Sequence, residues 1–145
     1  MQSEPTGAAS PIAVRGIDHV VLRVAQPEAM IAFYGDVLGC HVERRLDEIG
    51  LIQLRAGNSL IDLVPVDGEL GRKGGAAPGA GGRNLDHLCL RVEAFDEAAI
   101  RRHLDAHGVC AGPVEQRYGA EGNGPSMYLL DPERNTVELK GPPQV

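Results

Sequence analysis

Apolar and polar residues alternate over IDHVVLRV at 17–24 and again over LDHLCLRV at 85–92. A period of two marks a strand with one buried face. Val20, Leu22 and Val24 therefore share one side, and His19, Val21 and Arg23 share the other. The second run divides in the same way, Leu88, Leu90 and Val92 against His87, Cys89 and Arg91. After each strand the period lengthens to that of a helix. Pro27 opens the first helical pattern, which carries Met30, Phe33 and Val37 and stops at Gly39. Asp96 is placed to cap the second, which carries Ile100 and Leu104 and stops at Gly108. Short strand-like runs follow each helix, at 40–47, 49–56 and 59–65, then at 113–118, 125–130 and 135–140.

The two stretches are one motif used twice. Asp18, His19, Leu22, Arg23 and Val24 recur as Asp86, His87, Leu90, Arg91 and Val92, a shift of 68, and SLIDLV at 59–64 echoes as NTVELK at 135–140, a shift of 76. The difference of eight residues is most simply placed in the loop at 119–124. Each half reads β-α-β-β-β, and neither alone closes a core, so two tandem modules are expected to pair their sheets into an open, barrel-like cleft of α+β class. The plan is a loose tail over 1–14 and one domain over 15–141, made of module one (15–66), a connector (67–83) and module two (84–141). Residues 68–82 hold seven of the nineteen glycines and predict a flexible connector or a lid.

Composition narrows the function. The 145 residues carry a net charge of −6, only five aromatic residues and no Trp. An acidic chain without a basic cluster argues against a nucleic-acid surface and against a membrane surface. No run approaches the roughly 20 apolar residues needed to span a bilayer. Cys40, Cys89 and Cys110 are odd in number and show no C-x-x-C spacing, which suits reduced thiols in a cytoplasmic protein.

The chemistry lies on the polar strand faces. In the closing strands, Asp62 sits between Ile61 and Leu63, and Glu138 between Val137 and Leu139. If the modules face one another, His19, Asp62, His87 and Glu138 converge. Two imidazoles and two carboxylates suit one divalent first-row metal ion in an open site, and Ni, Zn, Co, Mn and Fe are equally compatible with them. A metal so held polarises a bound carbonyl and acidifies the neighbouring C–H. The weight rests on the matched pairs, since a lone strand His is ordinarily structural. Arg23 and Arg91 stand further along the same face, as anchors for an anionic substrate group or as strand-end ion pairs. Asp18 and Asp86 fall on the other parity and read as turn or cap residues.

The two DH strands, FYGDVLG at 33–39, DPERNTVEL at 131–139 and the two-half layout resemble the vicinal oxygen chelate (glyoxalase/bleomycin resistance/extradiol dioxygenase) superfamily. The resemblance spans about residues 15–141. It implies metal-ligand roles for His19, His87 and Glu138, and for Asp62 where members commonly have Glu or Gln. Glyoxalase I-like proteins are the nearest pattern, with an arginine four residues after the ligand His; Arg23 fills that place. The function implied is a metal-dependent lyase or isomerase, with Glu138 as base, Asp62 as its pseudo-symmetric alternative, and proton transfer through a metal-bound enediolate. Its substrate is a small α-hydroxycarbonyl or thiohemiacetal, and a homodimer is expected, with the modules paired within one chain or swapped between two. Alternatives on the same fold are an extradiol dioxygenase, an acyl-CoA epimerase and a non-catalytic antibiotic-binding protein. The dioxygenase signature fits at Met127-Tyr128, Asp131-Pro132 and Glu138, but Arg134 stands at its Gly place and YGAEGNG at 118–124 lacks its His.

Overall fold

The computed structural model describes residues 10–144, so most of the tail expected over 1–14 lies outside the described residues. The repeated motif folds twice into the same unit. In module one, β1 (His19–Val24) is followed by α1 (Pro27–Ala32), β2 (Val42–Leu46), β3 (Leu51–Ala56) and β4 (Ser59–Pro65). In module two, β5 (Leu88–Arg91) is followed by α2 (Glu97–Ala106), β6 (Glu115–Gly119), β7 (Gly122–Leu130) and β8 (Thr136–Lys140). The sheets run β1-β4-β3-β2 and β5-β8-β7-β6. In each, the first strand lies parallel to the last, and the remaining neighbours are antiparallel. Both sheets stay open, leaving a cleft and no closed barrel.

The extra residues of module two are distributed differently from the sequence expectation. The β6–β7 turn takes only Ala120 and Glu121, while β7 is three residues longer than β3 and a five-residue turn, 131–135, replaces Gly57-Asn58. The segment between α2 and β6 is longer as well, eight residues at 107–114 against four at 38–41, so the insertion is spread over a loop, a strand and a turn.

Local chemistry sets the helices. Asp96 caps α2, its Oδ1 accepting from the Ala99 N–H at 3.1 Å, and Gly108 ends it at φ 70°. Pro27 takes the first turn of α1, where its missing N–H is harmless. Beyond Ala32 that helix widens into a π turn, Phe33–Val37, in which the Leu38 N–H reaches back to the Phe33 carbonyl. Phe33 and Tyr34 are both buried there, edge to face with centroids 5.4 Å apart.

One apolar core serves both modules. Leu22, Met30 and Leu63 of module one join Leu104, Met127 and Val137 of module two in a single cluster. Polar contacts reinforce the join. The Tyr34 hydroxyl donates to Asp131 Oδ2 at 2.9 Å, and the Glu133 carboxylate accepts from the Ala25 and Gln26 N–H groups at 2.8–3.0 Å. Asn84 forms a two-way pair with the Arg23 backbone, each bond 3.0 Å.

The start of the glycine-rich connector lies close against module one, while residues 72–77 and 80–83 are exposed. Gly71–Gly74 forms a 3-10 turn. A Cβ at Gly71 would lie 1.8 Å from the Pro65 carbonyl oxygen, and one at Gly74 only 2.4 Å from Arg23 Nε. These two glycines permit close approach to module one.

Candidate metal centre

Strand parity positions the site as the alternation predicts. Leu22 and Val24 are fully buried, while Val21 on the opposite face is 46% exposed. The parallel ladder sets Val21 beside Asp62 in one sheet and Cys89 beside Glu138 in the other. Antiparallel pairing adds Gln53 opposite Asp62 and Tyr128 opposite Glu138.

In module two, His87 precedes β5 with a carboxylate at each ring nitrogen. Asp86 Oδ2 lies 2.7 Å from Nδ1, and Glu138 Oε1 lies 3.2 Å from Nε2. Glu138 is buried. The Tyr128 ring stands edge-on to His87 at 5.6 Å and carries the Arg117 guanidinium 4.5 Å from its centroid on a face. Burial, then the Glu138 charge, pushes the Cys89 thiol up to about 11. His87, Cys89, Arg91, Glu138 and Lys140 line a cleft of about 300 Å³.

Module one repeats the scheme with shorter reach. Asp18 Oδ2 lies 2.7 Å from His19 Nδ1. Asp62 is buried and accepts from Gln53 Nε2 at 3.2 and 3.3 Å. Gln53 in turn accepts from Arg44 Nε at 2.7 Å. The hydrogen bond that His19 donates to Asp18, and after it the Asp62 charge, raises the His19 pKa above its ordinary value.

The residue types in each pair are ones that ligate divalent cations. A carboxylate on Nδ1 keeps the ring proton there and turns the Nε2 lone pair outward, the arrangement that orients metal-ligating histidines. His87 then faces Glu138 with acceptor against acceptor, a conflict relieved by a proton or a metal ion between them. Asp18 and Asp86, read from parity as turn or cap residues, are thus the orienting partners of the two histidines. The strand rule does not govern them, because they precede the first ladder residue of β1 and β5. Their identical recurrence before each His was the available signal. Tyr128, paired with Glu138, and Lys140, which lines the cleft, were not singled out from the sequence.

The four expected ligands fall into two pairs, His19 with Asp62 and His87 with Glu138. Among the described residues, no three His, Cys, Asp or Glu side chains are grouped to hold a metal ion. No hydrogen bond or ion pair among the described residues joins the two cleft faces. The modules meet through the shared core, the Ala25–Gln26 segment, the π turn and the 131–135 turn, which leaves each polar face open.

The two arginines are differently placed. The Arg23 guanidinium donates to the carbonyls of Gly71 at 3.2 Å, Gly75 at 2.6 Å and Ala76 at 2.9 Å, so its donors hold the connector. Arg91 pairs with Glu121 at 2.7 Å and with the Val92 carbonyl.

Residues 16–139 match the family described as the Glyoxalase/Bleomycin resistance protein/Dioxygenase superfamily. The chain belongs to that superfamily. An integron cassette protein from the mobile metagenome of V. Cholerae is 26% identical, with a TM-score of 0.68 over 90% of this chain and 97% of that one. A lactoylglutathione lyase from Agrobacterium tumefaciens is 22% identical, with a TM-score of 0.63 over 91% and 96%. TnmS3, an antibiotic binding protein from Streptomyces sp. CB03234, is 22% identical, with a TM-score of 0.65 over 90% and 98%. At these identities the likeness to the last two is one of fold. A superfamily fold that carries both a lyase and a binding protein leaves the decision to the site. Among the described residues, no helix is long and apolar enough to cross a membrane.

Proposed function

We propose that the chain is a metal-dependent lyase or isomerase of glyoxalase I type, acting in the cytoplasm on a small α-hydroxycarbonyl or thiohemiacetal. The observation that carries this reading is the duplicated Asp–His pair, Asp18–His19 and Asp86–His87, each with a buried carboxylate, Asp62 or Glu138, on the same sheet face. His19, Asp62, His87 and Glu138 would hold one divalent ion between two modules. A homodimer supplies the facing module, since each chain presents two open half-sites and leaves Val21 and Leu130 exposed at 46% and 41%.

A bound divalent ion supplies Lewis acidity, polarising the substrate carbonyl and lowering the pKa of the adjacent C–H. Glu138 is the proton carrier, removing the proton from one carbon and returning it to the next. Its buried position favours proton exchange with substrate over exchange with water. Asp62 is the pseudo-symmetric counterpart, one methylene shorter and hydrogen-bonded to Gln53. Asp18 and Asp86 keep both imidazoles in the ligating tautomer. Arg91 borders the substrate cleft, and Arg23 reaches a substrate anion on exchanging the carbonyls of the connector for it.

The test is a panel on metal-reconstituted protein: methylglyoxal with glutathione, methylmalonyl-CoA, and catechols under Fe(II). Turnover of the first, abolished in His19→Ala and Glu138→Gln, supports the reading. Purified protein that holds and recruits no stoichiometric divalent metal would sink it in favour of a binding protein.

A further inference from the structure

We infer that Lys140 is an anion anchor of the module-two cleft, and that the substrate carries a carboxylate or similar oxyanion beyond its metal-directed end. The inference rests on the proposed metal site and extends it. Lys140 is 7% exposed, yet it lines the same cleft as His87 and Glu138. It lies two residues beyond Glu138 on one strand face, about 7 Å along β8. Its Nζ donates to the Arg117 carbonyl at 2.6 Å and to the Gly124 carbonyl at 3.4 Å. Those are neutral acceptors, and two of them leave the third ammonium proton unmatched.

The neighbouring carboxylates are already engaged. Glu115 pairs with Arg117 and Glu121 with Arg91, and Glu138 faces His87 as the proposed metal ligand. Lys140 forms no ion pair among the described residues, and a buried ammonium without a counter-charge is costly. The fold makes room for it deliberately: a Cβ on Gly119 would lie 2.5 Å from Lys140 Cε, and one on Gly124 3.1 Å from Nζ. An oxyanion arriving with the ligand supplies the missing charge and the missing acceptor together.

Calorimetry on the full chain loaded with Zn²⁺ tests this with acetohydroxamate, a neutral bidentate chelator, and succinic monohydroxamate, which adds a carboxylate. The wild type is expected to favour the acid by about tenfold or more, the scale of one charge-assisted contact. Lys140→Gln keeps a donor for the carbonyls and loses the charge; it should erase that preference while leaving acetohydroxamate affinity unchanged. Lys140→Arg should retain part of the preference. Equal binding of the two ligands by the wild type, or a preference that survives Lys140→Gln, overturns the assignment. Equal weakening of both ligands in Lys140→Gln also overturns it, by revealing a structural role. If neither hydroxamate binds the wild type, the metal reading fails and takes this inference with it.

Discussion

The Tyr34 hydroxyl and the Asp131 carboxylate form a buried bridge of 2.9 Å between the two modules. Asp131 also accepts from the N–H groups of Glu133 and Asn135 and from the Asn135 amide, at 2.8–2.9 Å, so all of its bonds are to neutral donors. Burial, and then the Asp131 charge, holds the Tyr34 hydroxyl protonated well above its ordinary range. Tyr34→Phe removes one donor from a buried carboxylate and should destabilise the chain by about 1–3 kcal/mol. Asp131→Ala strands several donors at once and should cost more. Urea unfolding reads both, and a Tyr34→Phe variant as stable as the wild type would contradict the role assigned to this bridge.

Tyr34 shows where the sequence was readable. Strand parity, the Asp96 cap and the glycine stops are local properties, and each appears in the fold near its expected place. The π turn that brings Phe33 and Tyr34 inward together is a one-residue widening of a helix, and it leaves no periodic trace in five residues. Asp131 reads as the start of an Asp-Pro turn, because its partner is 97 positions away. The ligand candidates were visible through duplication, whereas their division into two pairs depends on how the modules pack. No local pattern encodes that packing.

The orienting carboxylates give a second prediction. Asp86→Ala and Asp18→Ala leave the ligand atoms in place but release the tautomer and tilt of His87 and His19. Metal affinity should fall about 10–100-fold in each, with far-ultraviolet circular dichroism unchanged. Competition against a chromophoric chelator measures this; undiminished affinity in both variants would show that the Asp–His contacts do not serve the metal.

His19 gives a pH dependence with a definite sign. Its folded pKa lies above the ordinary 6.5, first through the Asp18 hydrogen bond and then through the Asp62 charge. The protonated ring is favoured by folding, so its contribution to stability is complete below about 6.5 and is lost as pH rises through the raised value. Metal binding runs the other way, because the ion must displace that proton: affinity increases with pH across the same window. Proton NMR of the His19 ring should show the raised midpoint, and Asp18→Asn should bring it down.

The connector's contacts with module one can be tested by forced crowding. Ala at Gly71 would collide with the Pro65 backbone, and Ala at Gly74 with the Arg23 guanidinium. Gly71→Ala should destabilise the chain by about 1–3 kcal/mol through backbone displacement. Gly74→Ala should instead break the Arg23 clamp with less effect on global stability. Limited proteolysis should then cut within 75–82 faster in Gly74→Ala than in the wild type. An unchanged cleavage rate would mean that Arg23 does not restrain the segment.

Duplication leaves the two half-sites alike in their ligands and unlike in everything around them. Val21, Gln53 and Asp62 occupy one face; Cys89, Tyr128 and Glu138, with the ammonium of Lys140 beyond, occupy the other. In the assembled cleft proposed above, a ligand turned end for end meets different surroundings, although the metal itself treats both ends the same. Such a frame has a head and a tail. It would fix which end of an unsymmetrical ligand meets Glu138 and which meets Asp62, and that choice comes from the divergence of two copies of one module.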